Sequence, residues 1–262
     1  MEFILFFYYL NITSKSIIIT TMQHYYKLLD WFPFEKIDWN ALSGNPAAIH
    51  LLEQNPDKIF WPLLSNNPAA IHLISEALEQ NPDKIHWYSL SLNPAAIHIL
   101  EQNPDKIIWN ALSGNPAAIH LLEQNPDKIF WPLLSNNPAA IHLISKAQEQ
   151  NQDKFDWSML SSNPAAIHIL EQNPDKIVWC YLSENPAAIH LLEQNQDKID
   201  WNHLSSNPAA IHLIEQNPDK IDWVYLSANP AAIHLIEQNP DKINSVWLSR
   251  NPEIFTYDYK YI

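Results

Sequence analysis

The amino-acid sequence predicts an all-α solenoid of about ten repeats, most of 22 residues and two of 26, each built as helix, turn and short helix. Three observations carry this. The hexapeptide NPAAIH occurs nine times, starting at Asn45, Asn67, Asn93, Asn115, Asn137, Asn163, Asn185, Asn207 and Asn229. A tryptophan keeps register with it at Trp39, Trp61, Trp87, Trp109, Trp131, Trp157, Trp179, Trp201 and Trp223. Only two glycines are present, which leaves little material for the tight turns of a β-solenoid. Self-similarity at this period marks one supersecondary unit copied many times, stacked into one elongated domain.

Taken in order, residues 1–21 (MEFILFFYYLNITSKSIIITT) lie outside the repeat. Their two apolar runs are each too short to cross a bilayer. Glu2 and the lack of a small-residue cleavage site make them a poor signal peptide. The stretch is expected to be a leader outside the mature fold, with Met22 as an alternative start and a weak anchor or signal as a further reading. Residues 22–35 (MQHYYKLLDWFPFE) read as an N-terminal cap with Tyr26, Leu28, Leu29 and Trp31 over the first copy.

Residues 36–250 hold the repeats. The Asn of each hexapeptide can accept a hydrogen bond from a free amide of a first helical turn, and the Pro after it needs no amide partner there. Ala48, Ile49 and Leu52 then share one face, while His50, Glu53 and Gln54 share the other, so one side is core and the other wet. Asn-Pro-Asp-Lys reads as a turn. Pro62 and Pro132 require the second helix to start near Trp, because a proline deep inside it would remove a hydrogen bond. Gln152 and Gln196 replace the turn proline in two copies. The stretches Leu73 to Glu79 and Leu143 to Glu149 each add four residues, about one helical turn, which keeps the apolar face in phase. Residues 39–84 recur at 109–154 almost unchanged, so the array grew by block copying. Residues 251–262 degrade the repeat into NPEIFTYDYKYI and read as a C-terminal cap.

The ladder tryptophans are assigned to the core, each able to bury roughly 150 to 250 Å². The histidine row, His50, His72, His98, His120, His142, His168, His190, His212 and His234, suggests a metal array. Helices packed about 8 to 10 Å apart hold neighbouring imidazoles too far apart to share zinc unless the side chains converge, so hydrogen bonding along the array or plain exposure is the expectation. A proton-linked change in packing near pH 6 is a further possibility for this row.

For catalysis the sequence offers no Gly-rich phosphate loop, no GxSxG and no HExxH, and no cofactor or metal is expected. Cys180 is the lone cysteine, so no intrachain disulfide can form and a reducing compartment is the simpler assumption. The formal charge of -14 argues against nucleic acid as a partner.

Binding is expected where the frame varies. The slots beside Trp supply Phe60, Tyr88, Phe130, Met159, Tyr181, His203 and Tyr225 as candidate contacts to a protein partner, Tyr being a favoured interface anchor. The alternatives are drift at half-buried positions, a stiff rod or self-associating component about 90 Å long at about 9 Å per unit, and the metal array.

The whole unit, NPAAIHLLEQNPDKIDWxxLSxNP, resembles the tandem Asn-Pro/Trp repeat proteins that large DNA viruses of amoebae and other protists encode in many copies. The ending NPEIFTYDYK is similar to the way those proteins finish. The resemblance spans about residues 36–260. It implies an intracellular, virus-encoded helical array, in the host cytoplasm or the virion, that binds host or viral proteins. A looser similarity to leucine-rich variant and ankyrin-type solenoids implies an interaction scaffold.

Overall fold

The computed structural model describes residues 26–148 and 154–257. The leader and residues 22–25 of the expected N-terminal cap lie outside the described residues, as do Gln152 and the last five positions.

Each unit forms as its local chemistry dictates, with one refinement. In the first copy the Asn45 side chain accepts the Ala47 amide at 3.0 Å. Pro46–Ala48 then forms a 3-10 turn rather than α-helix, and the α-helix runs from Ile49 to Gln54. Asn55 does a different job: its Nδ2 donates to the Leu51 carbonyl at 2.8 Å, satisfying an orphan acceptor at the helix end. Pro56–Lys58 is a second 3-10 turn, and the next short helix, Trp61–Leu64, carries Pro62 in its first turn as expected. Gln196–Lys198 forms the same turn without proline, so proline assists that turn and does not decide it. In the first long unit the helix extends over Ile71–Gln80, one turn more than its neighbours. No described non-glycine residue has positive φ, which is why the chain can do almost without glycine.

What joins the copies is a buried polar ladder. Asn67 Nδ2 donates to the carbonyls of Ser43 and Asn45 in the preceding unit, each at 3.1 Å. Its Oδ1 meanwhile accepts the Ala69 amide in its own unit. The serine four residues after Trp adds a second link, since Ser43 Oγ donates to the Trp39 carbonyl and accepts the Phe60 amide of the next unit at 2.9 Å. Both side chains are fully buried or nearly so in every copy. The pattern recurs at Asn93, Asn115, Asn137, Asn207, Asn229 and Asn251, while Asn163 and Asn185 reach only the serine carbonyl.

The ladder does not stop. Asn45 in the first unit donates to the carbonyls of Ser249 and Asn251 in the tenth, each at 3.0 Å, and the Asp38 amide donates to Ser249 Oγ. The array is therefore a closed ring of ten units and not the elongated open stack expected from the sequence. Asn251, in the segment expected to shield a free end, occupies an ordinary rung. Strand β1 (Tyr26–Leu28) pairs antiparallel with β2 (Phe255–Tyr257) in the register Lys27 to Thr256, and the Leu29 amide bonds the Ile254 carbonyl. This ribbon follows Asn251 where the other units place an Ile helix.

Elements of a closed ring crowd most on the side of its axis. The short Trp helices pack directly on their neighbours around much of the ring, and consecutive Pro-Ala-Ala turns touch throughout, whereas the backbones of consecutive Ile helices stay further apart. The Trp helices thus form the inner layer and the Ile helices the outer one. Between the layers lie the fully buried leucine three residues after each Trp, Ala48 and Leu52 and their equivalents. The tryptophans themselves are only half-buried, packed against this core rather than inside it. On five of them, Trp61, Trp131, Trp179, Trp201 and Trp223, the lysine of the following turn sits 4.4 to 5.2 Å from the ring.

The two jobs of the ladder asparagine can be separated at Asn207. Aspartate caps a helix about as well as asparagine but has no amide to donate. Asn207→Asp sets a carboxylate against the Ser183 and Asn185 carbonyls and is expected to cost more than Asn207→Ala. Each should lose on the order of 2 to 3 kcal/mol in urea unfolding. A near-neutral Asn207→Asp would reduce the residue to a simple cap.

Candidate functional site

The outer row of histidines pairs across the junctions. His72, His120, His142, His190, His212 and His234 each place Nε2 2.7 to 3.1 Å from the glutamate of the preceding unit. Both partners are about half exposed, so each pair contributes little to stability. Among the described residues no group of three or more His, Cys, Asp or Glu could hold a metal ion. Three histidines depart from the pattern. His98 and His168 follow the long units, where Ser75 and Ser145 stand at the glutamate position. His50 faces the closing ribbon, its ring edge-on to Phe255 at 5.1 Å.

Burial pushes the His50 imidazole below its ordinary value of 6.5, against the opposing effects of its bond with the Ala47 backbone and the Glu53 charge. Because the folded value is depressed, its contribution to stability is complete above about pH 6.5 and is lost as pH falls. His50→Gln should therefore lose less stability than the native chain between pH 7 and 5 in paired urea titrations. Parallel pH profiles would show that the closure does not sense this group.

The inner layer carries the variable slots. The slot two residues after Trp reads Ala41, Leu63, Ser89, Ala111 and Leu133 on one half of the ring and Met159, Tyr181, His203, Tyr225 and Trp247 on the other. The second half makes a continuous stack. Tyr181 lies 6.1 Å from His203, His203 5.5 Å from Tyr225, and Tyr225 5.3 Å from Trp247, with interplanar angles of 37° to 48°. Arg250 caps the far end, 5.1 Å from the Trp247 ring. Three of the residues expected from the sequence, Tyr181, His203 and Tyr225, are thus brought together, and Met159 sits in the next slot along. Trp247 is not among the residues expected from the sequence. Its signal was its offset of two places from the ladder position, which puts an indole in the variable slot.

Charge is focused on this stack. His203 Nδ1 is 3.0 Å from Asp200 Oδ1, and the Asp200 carboxylate also accepts the His203 amide. Burial would raise the Asp200 carboxyl, but the backbone and side-chain hydrogen bonds from His203, its charge and the Asn202 amide together hold it below the usual range. Glu184 is pushed up by burial, with the His203 charge pulling the other way. The imidazole therefore stands between two aromatic rings and within reach of two carboxylates.

The remaining candidates lie elsewhere. Phe60 and Phe130 occupy the slot before Trp and are 39% and 38% exposed, and Ile108 in the same slot is 39% exposed. There they replace the aspartates that cap Trp helices at Asp38, Asp156, Asp200 and Asp222. Tyr88, 46% exposed, projects from the slot after Trp with His86 6.4 Å away. These residues form a separate apolar arc over four of the units that lack the aromatic stack.

No protein-family model, curated protein or solved structure matches this chain. No helix among the described residues is long and apolar enough to cross a membrane.

Proposed function

We propose that the ring is a non-enzymatic interaction scaffold that holds a partner protein against the half lined by Met159, Tyr181, His203, Tyr225 and Trp247. The observation that carries this is the contrast within one slot. A frame that repeats almost unchanged offers small or aliphatic groups on one half and five bulky groups, four of them aromatic, in succession on the other. Drift at half-buried positions would scatter such residues, whereas an interface concentrates aromatic anchors. The charges beside the stack, Asp200, Glu184 and Arg250, supply the polar rim that specific interfaces use. A net charge of -14 favours a protein partner over nucleic acid. The resemblance to viral repeat proteins suggests a host or viral protein as that partner, met inside an infected cell.

Capture from lysate with the purified chain tests this reading. The double variant Tyr181→Ala and Tyr225→Ala should lose at least about tenfold of the partner retained by the native chain, the size expected when interface anchors are truncated. Equal capture by both chains would overturn it. A doubled mass in light scattering, abolished by Phe60→Ser with Phe130→Ser, would show instead that the apolar arc joins two copies of the ring.

A further inference from the structure

The long units break two patterns at once. Around most of the outer row a glutamate of one unit meets the histidine of the next at 2.7 to 3.1 Å. On five tryptophans the ring carries the ammonium of the next turn's lysine. At the junction after the first long helix neither group is supplied. Ser75 stands at the glutamate position, bonded to the Ile71 carbonyl, and Glu79 is displaced one turn further along the helix. Lys106 is turned toward Asp105, at 3.7 Å, and does not cover Trp87.

These groups line one cleft of about 510 Å³, formed between the long helix and the following unit. Its wall includes Trp87, His98, Glu79, Lys106, Leu78 and Ile99. The partners missing from it are the two that five other junctions contain together: a carboxylate for the imidazole and an ammonium for the indole face.

We propose that this cleft binds a small zwitterion of the amino-acid class, its carboxylate on His98 and its ammonium over Trp87 beside Glu79. The geometry reproduces with a ligand what the ring elsewhere builds from its own side chains. A cation over an indole is held by the ring quadrupole, and a neighbouring carboxylate reinforces it. Lys106 offers the ligand carboxylate a second partner, and Leu78 with Ile99 covers an aliphatic stem. The site is remote in sequence from the aromatic stack and independent of the partner proposed for it.

Calorimetry on the full chain with free L-lysine tests the proposal, with pentylamine and acetate as probes that carry one charge each. L-lysine is expected to bind at least tenfold more tightly than either. Ser75→Glu gives His98 the carboxylate found at six other junctions and should abolish the heat. His98→Ala, an exposed change that leaves the packing intact, should weaken binding at least tenfold. Absence of heat with millimolar L-lysine, equal binding of acetate, or native-like binding by both variants would overturn the assignment.

Discussion

The structure depends on one side chain doing two things. An asparagine amide has an acceptor and two donor hydrogens, and at each rung it faces its own chain with the oxygen and the preceding unit with the nitrogen. These groups are buried, so every unmade bond would carry the desolvation cost of a polar group in an apolar place, about 1 to 3 kcal/mol. An open array would pay that cost at both ends. Asn45 would have no carbonyls to reach, and the carbonyls of Ser249 and Asn251 would have no donor. Closure removes both deficits with the bonds used at every other junction, and the β1 and β2 ribbon fastens the seam.

The ring in turn separates what must stay constant from what is free to vary. Leucine, alanine, serine and asparagine between the layers cannot change without opening a cavity or orphaning a bond. Most positions flanking Trp are half-buried or exposed, and there the copies diverge into an aromatic half and an apolar arc. A four-residue insertion is accepted for the same reason. It adds a turn to an outer helix and leaves the inner ladder in register, at the cost of one rung in the outer row of ion pairs.

Much of the local structure was legible in the sequence. Asn-Pro marked each turn, Pro62 set the start of a Trp helix, and the split of His50, Glu53 and Gln54 from Ile49 and Leu52 gave the wet and dry faces. Two features differ from the sequence expectation. Tryptophan looked like the core because it is the largest constant residue, but the leucine three places on is the one fully buried. The array looked open because periodicity describes one unit and its neighbour, whereas closure depends on curvature accumulated over ten. A clue was nonetheless present. The final copy replaces both alanines of the hexapeptide by Glu253 and Ile254 but keeps Ser249 and Asn251, the residues the ladder needs. A cap alone would also have tolerated Ser, Thr or Asp in place of asparagine. Of the candidate site, the stack was visible as variation in one slot, while its continuity came only from the ring bringing successive slots within about 6 Å.

The direct test of closure is the distance between the first and tenth units. Spin labels on the exposed positions Asn40 and Val246, with Cys180→Ser to remove the native thiol, report it by pulsed electron resonance. Labels on Asn202 and Val224, which occupy the same slot of adjacent units, give the reference. A closed ring predicts the same short distribution for both pairs, one helix spacing of about 10 Å plus the label arms. A distribution for Asn40 and Val246 centred several tens of ångströms longer, toward the roughly 90 Å of an open array, would contradict it.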